Sequence, residues 1–281
     1  MKKIILLLGL LMLSNTSVIA ANCEYSCVEP YDMNSKFGSF FSSISGLNFA
    51  KTQISESVLK KAVSKVVKGD KNLKIDLDSY SAKDLNNGIF RSLTMSANNV
   101  NIDGIYLSSI EMKSLCDFNY VKYDKKGNLT FKEDFPMSFA IEMNSEDINN
   151  TMKSEQYKKV INDLNKLSFA GIKVASTSAS IRGNQFYYVM NIAIPFMKEQ
   201  KIEITADLKV KDGKIDFENT RLASNSFKLD LKKIDFIMNY LNPLDFSVNI
   251  FDNKEAKVYI KNIAIKNNTI ITDGIAVVPK D

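Results

Sequence analysis

The chain of 281 residues contains no histidine and no tryptophan, and only three cysteines and five prolines. Each scarcity removes a class of chemistry. Without imidazole there is no Ser-His-Asp or Cys-His relay and no histidine metal ligand, which excludes most hydrolase and zinc-enzyme designs. Cys23, Cys27 and Cys116 are too dispersed to make a metal site. No Gly-rich phosphate loop stands between a strand and a helix, and acids at calcium-loop spacing are absent. The paired carboxylates Glu133-Asp134 and Glu146-Asp147 sit at a turn and at a helix start, where solvated acids are common, so a two-carboxylate glycosidase is the weaker reading. No enzymatic activity, metal or cofactor is expected.

Long apolar runs are missing too, except at the start. Met1-Lys2-Lys3, the apolar stretch Ile4 to Leu13 and the small-residue site Val18-Ile19-Ala20 form a tripartite secretory signal over 1–20, with cleavage placed after Ala20. The stretch is shorter than the roughly 20 residues of a bilayer span, so a soluble, exported mature chain is expected, in the periplasm or at the extracellular face of the envelope. Asn22 before Cys23 argues against lipidation of that cysteine. In an oxidising compartment Cys23 and Cys27 can bridge a short loop, leaving Cys116 as a small apolar residue inside a strand, although spacing alone does not decide the pairing. Net charge falls from +5 by two when Lys2 and Lys3 leave. That balance allows transient contact with an anionic membrane surface and does not suggest nucleic acid as a partner.

What is abundant is apolar patterning, with 45% hydrophobic residues, enough for a core in one large domain or two small ones. Residues 21–52 form a lead-in segment in which Phe37, Phe40, Phe41, Ile44 and Leu47 recur at helix-like spacing, as a helical lead-in or an apolar arm. From Gln53 the pattern sharpens. Ile54, Val58, Ala62 and Val66 repeat every four residues, flanked by Leu59, Val63 and Val67, with lysines 60, 61, 65 and 68 on the other side, and Gly69-Asp70 ends this long amphipathic helix.

Period two then takes over. Strands are expected at Leu73 to Leu77, Ile89 to Met95, Val100 to Leu107, Ile110 to Tyr123, Leu129 to Phe131 and Met137 to Met143. A second amphipathic helix starts at Ser145 as N-cap and carries Ile148, Met152, Tyr157, Val160, Ile161 and Leu164. Further strands follow at Leu167 to Ile181, Phe186 to Ile194, Ile202 to Val210 and Ile215 to Phe217. Arg182-Gly183-Asn184, Lys211-Asp212-Gly213 and, earlier, Lys125 to Asn128 supply turns. A short third helix over Leu231 to Leu241 stops at Asn242-Pro243, and strands Phe246 to Phe251, Ala256 to Ile265 and Thr269 to Val278 close the chain. No linker divides 53–281, so one antiparallel α+β domain is expected there.

The stretches Asp84 to Leu93 and Asn99 to Ile110, the acidic helix start at Ser145, Leu241-Asn242-Pro243-Leu244, Val258-Tyr259-Ile260 and Ile270 to Gly274 together resemble the LmeA-like phospholipid-binding family of bacterial envelope proteins. The resemblance spans about Ile54 to Val278 and rests on apolar patterns with a few glycines. It implies a fold similar to the tubular lipid-binding (TULIP) superfamily, in which a strongly curved antiparallel sheet wraps a long amphipathic helix, with one or two further short helices. It also implies an exported protein that binds phospholipid in an apolar groove. The groove expected here is lined by Ile54, Val58, Leu59, Ala62, Val63 and Val66 from the helix, facing Phe139, Ile141, Phe186, Tyr188 and Met190 from the sheet. A methylene moved from water into such a groove gains about 0.8 kcal/mol, so a sixteen-carbon chain gains on the order of 10 kcal/mol before ordering and association costs. The competing reading is a structural or adhesive β-rich envelope protein whose closed core binds a protein partner through a sheet edge or the Phe37 to Phe41 arm.

Overall fold

Alternating apolar and polar residues become strands in the computed structural model, which describes residues 25–28, 67–68, 73–123, 129–166, 173–196, 198–223, 231–249 and 256–281. Seven strands make the largest sheet. Across it, β4 (Ser92–Ile102), β5 (Ile105–Ser114), β8 (Phe135–Asn144), β14 (Thr269–Val278) and β13 (Lys257–Lys266) run antiparallel in that order. The short β1 (Val67–Lys68) and β2 (Lys74–Asp78) both pair with the free side of β4. A second sheet is a four-stranded meander of β9 (Lys173–Arg182), β10 (Gln185–Ala193), β11 (Gln200–Lys211) and β12 (Lys214–Leu222). A third joins β3 (Ile89–Phe90), β6 (Asn119–Tyr123) and β7 (Leu129–Phe131).

The hairpin turns follow residue chemistry. Asp103-Gly104, Gly183-Asn184, Asp212-Gly213 and Asn267-Asn268 all hold positive φ at both positions, between 50° and 89°. Such paired left-handed residues match the twist of the flanking strands, and Asn, Asp and Gly accept them at least cost. Asp103-Gly104 therefore splits the strand expected over Val100 to Leu107 into the end of β4 and the start of β5. The expected long strand Ile110 to Tyr123 is likewise broken, at residues 115–118 between β5 and β6.

The helices correct the sequence reading in three places. Asn144, not Ser145, caps α2 (Ser145–Met152): its side chain accepts from Glu146 and Asp147 N–H while Asp147 accepts from Asn144 N–H, a capping box. The single expected helix is also two, with Lys153-Ser154 separating α2 from α3 (Glu155–Lys166). Beyond α4 (Leu231–Tyr240), the strand expected at Phe246 is instead α5 (Pro243–Asn249). Asn242 Oδ1 accepts from Leu244 N–H at 3.1 Å and Asp245 N–H at 3.2 Å, and Pro243 at the first helical position lacks the N–H that would go unpaired there. Capping chemistry overrode the alternation of Phe246 and Val248. A short α1 (Ala82–Asn86), capped by Ser81, was not anticipated.

The chain is thus α+β with antiparallel, open sheets. The long amphipathic helix expected from Ile54 lies outside the described residues, except that Val67 and Lys68 pair as a strand with Ile102 and Asn101. Among the described residues the longest helix is α3, with 12 residues. The inner face of the seven-stranded sheet is covered at one end by the meander and helices, which share one apolar cluster with Ala97, Ile110, Phe139, Ile141 and Ile260. At its other end Leu93, Phe135 and Met137 form a second cluster with Phe90 and Val121 of the small sheet.

One covalent tie differs from expectation. Cys27 is bonded to Cys116 across 89 residues, so Cys27 does not bridge Cys23, and Cys116 is neither unpaired nor within a strand. Cys23 lies outside the described residues.

Candidate functional site

Register places one cross-strand row along the inner face of the large sheet. Ile75 faces Met95, Met95 faces Met112, Met112 faces Phe139, Phe139 faces Gly274 and Gly274 faces Ile260. Directly paired residues share a sheet face, so the row is one continuous apolar track. Its two ends differ in burial. Phe139, Gly274 and Ile260 are buried, whereas Ile75, Met95 and Met112 are only partly covered. In the neighbouring rows Leu73, Ala97, Ile110 and Ile141 are buried on one side, and Leu93, Ser114 and Met137 on the other, where Leu77 of β2, opposite Leu93, stays partly covered.

The uneven burial has a packing cause. Ile75 and Met112 touch both apolar clusters, Met95 and Leu77 touch the smaller one, and none is sealed by either. The result is a partly open strip across β2, β4 and β5 that runs inward to the Phe139 ring, spanning three interstrand steps or about 14 Å. Gly274 makes the inner end possible. A Cβ there would stand 2.7 Å from Phe139 Cζ and 2.3 Å from the Tyr259 carbonyl oxygen, so only glycine lets the ring lie over β14. Methionine suits the open end, because an unbranched thioether adapts to whatever lies against it.

The centre of the other half of the interior is fully buried. Phe186, Tyr188 and Met190 on β10 are 0% exposed, and Phe186 stacks on Phe217 with ring centroids 5.5 Å apart. Tyr157 of α3 packs edge-on against Phe246 at 5.5 Å, and its hydroxyl donates to the Leu241 carbonyl while accepting from Tyr188 at 3.1 Å. Tyr188 also approaches the same carbonyl at 3.4 Å. Burial pushes the Tyr157 phenol up from its ordinary value to about 12, and burial, followed by the neighbouring Tyr157, raises Tyr188 well above its ordinary value. Both are neutral hydrogen-bonding groups under all ordinary conditions.

Of the residues expected to line a groove, Ile54, Val58, Leu59, Ala62, Val63 and Val66 lie outside the described residues. Phe186, Tyr188 and Met190 pack a closed core in the same cluster as Phe139 and Ile141. Only Phe139 adjoins the open strip. Ile75, Leu77, Met95 and Met112 were missed as site residues because alternation marks a sheet face without saying what covers it. The available signal was the two methionines brought into register.

Among the described residues no helix is long and apolar enough to cross a membrane, and no cluster of acids and cysteines is arranged to hold a metal ion. No protein-family model, curated protein or solved structure matches this chain.

Proposed function

We propose that this is an exported lipid-binding protein of a bacterial cell envelope, which holds or ferries phospholipid or another acyl lipid by burying hydrocarbon rather than by recognising a head group. The observation that carries this reading is the partly covered Ile75–Met95–Met112 row, bordered by a buried row on one side and by Leu93, Ser114 and Met137 on the other, and ending on Phe139. Ten methylenes fully buried along it would gain about 8 kcal/mol before association costs of similar size, so binding depends on how completely the strip covers the chain. The resemblance to LmeA-like proteins favours the same reading.

The test is recovery of the mature protein from cells, followed by native mass measurement and solvent extraction. Stoichiometric acyl lipid, lost in Met112→Lys while the melting temperature stays within a few degrees, is the expected result. A lipid-free protein that also refuses fluorescent phospholipid would overturn it.

One observation favours a second reading. The sealed Phe186–Tyr188–Met190 half fits a closed-core β-rich envelope protein that binds a protein partner at its surface. Lipid-free recovery would leave that reading standing.

A further inference from the structure

The turn between β10 and β11 presents Phe196 to solvent with its whole side chain uncovered. Among the described residues only Tyr25 and Val28 are other large hydrophobic side chains on the exposed surface, and both are far less exposed. Phe196 is also held at φ 64°, in the left-handed region where a bulky aromatic residue is a true outlier. Strain of this kind persists where the surroundings enforce it, and it clusters at sites with work to do. Pro195 precedes it, exposed as well.

The charge around this tip has one dominant sign. Lys198 and Lys201 flank the turn, and Lys173 stands opposite Ala193 where β9 begins. All three are exposed and make no ion pair among the described residues, against the single acid Glu199. An aromatic wedge rimmed by cations matches the interface of an anionic phospholipid membrane: the ring enters at the acyl boundary while the ammonium groups meet head-group phosphates.

We propose that the Pro195-Phe196 tip, with Lys173, Lys198 and Lys201, is a membrane-docking point selective for anionic phospholipid surfaces. This deepens the lipid-carrying reading by naming where the protein meets a bilayer, and it rests on that reading for its purpose. Its test makes no use of lipid uptake, so the two fail separately.

The chain's lack of tryptophan supplies the probe. Phe196→Trp places a sole indole at the tip of the mature protein, and its emission is read with vesicles of phosphatidylcholine alone and of phosphatidylcholine with phosphatidylglycerol. The expected result is a blue shift and intensity gain with the anionic vesicles, reversed by high salt. In sedimentation with the same vesicles, Phe196→Gly lowers partitioning about tenfold or more, and Lys198→Glu about fivefold or more. Phe196→Gly relieves the left-handed strain, so its thermal stability stays at or above that of the parent chain, which separates lost docking from lost folding. Unchanged emission with both vesicles, or undiminished partitioning of Phe196→Gly, would overturn the proposal, as would tip burial only on adding envelope protein extract freed of lipid.

Discussion

Asn149 stands in for a neighbouring strand at Ala179: its Oδ1 accepts the Ala179 N–H at 3.0 Å and its Nδ2 donates to the Ala179 carbonyl at 2.7 Å. Asn165 does the same for Val174, at 2.8 Å and 2.9 Å, and Ser145 Oγ accepts from Ile181 N–H at 2.9 Å. On its opposite side α2 serves the other sheet. Thr151 accepts from Tyr106 N–H at 2.9 Å, and Asp147 accepts from Ser108 on β5. A bare edge strand templates pairing with another chain, and here helix side chains occupy those groups.

Replacing Asn149 by Leu removes three hydrogen bonds, two to Ala179 and one to the Ser145 carbonyl, and strands the Ala179 donor and acceptor. We expect a loss of about 2–4 kcal/mol in urea denaturation, and no smaller a loss for Asn149→Asp, which keeps the accepting oxygen but turns a carboxylate oxygen toward the Ala179 and Ser145 carbonyls. With Asn165→Leu added, the opened β9 edge should also give concentration-dependent association, visible by light scattering.

Tyr157 and Tyr188 set the alkaline limit. Unfolding releases each phenol to its ordinary value near 10, while burial keeps it protonated in the folded state, to about 12 for Tyr157. The folded form therefore binds more protons above pH 10. Stability is intact below that pH and falls by up to about 1.4 kcal/mol per pH unit for each tyrosine as pH rises toward 12. Denaturation midpoints should drop over that window together with late tyrosinate absorbance, and Tyr157→Phe should flatten the slope. A slope unchanged by that variant would refute the assignment.

The Cys27–Cys116 bond closes a loop of 89 residues. In the chain-entropy account such a loop contributes about 4–5 kcal/mol, so reduction or Cys27→Ser should lower the melting temperature by several degrees or more. Peptide mapping without reductant should find those two cysteines joined.

Gly213 closes the hairpin that docks on β13. Its carbonyl accepts from Ile260 N–H at 2.9 Å, and a Cβ there would lie 2.4 Å from the Tyr259 ring at φ 74°. Gly213→Ala should cost about 1–3 kcal/mol through the backbone and the displaced ring, measured by thermal melting.

Legibility in the sequence followed how local each signal was. Period two placed Met137 to Met143, Phe186 to Ile192 and Thr269 to Val278 on the right strands, and Gly183-Asn184 and Asp212-Gly213 turned the chain where expected. Asp103-Gly104 carried an equally local hairpin signal, obscured by the apolar alternation on both sides. The sequence hides α5 because Asn242-Pro243 both ends one helix and starts the next. The Cys27–Cys116 pairing and the division between sealed and open rows were not legible, since both depend on which distant segments cover a given face. Phe186 and Met112 look alike in the sequence. What separates them is that Phe186 lies within one cluster, stacked on Phe217, whereas Met112 sits at the boundary between two clusters and is only partly buried by them.

The most direct test of the central claim uses a phospholipid with a photoactivatable group in its acyl chain, loaded onto the protein, irradiated, and mapped by peptide mass spectrometry. Adducts concentrated on Ile75, Met95 and Met112, and displaced by unlabelled phospholipid, are the predicted result. Saturable labelling that falls only on the outer surface, or no saturable labelling at all, would contradict the account.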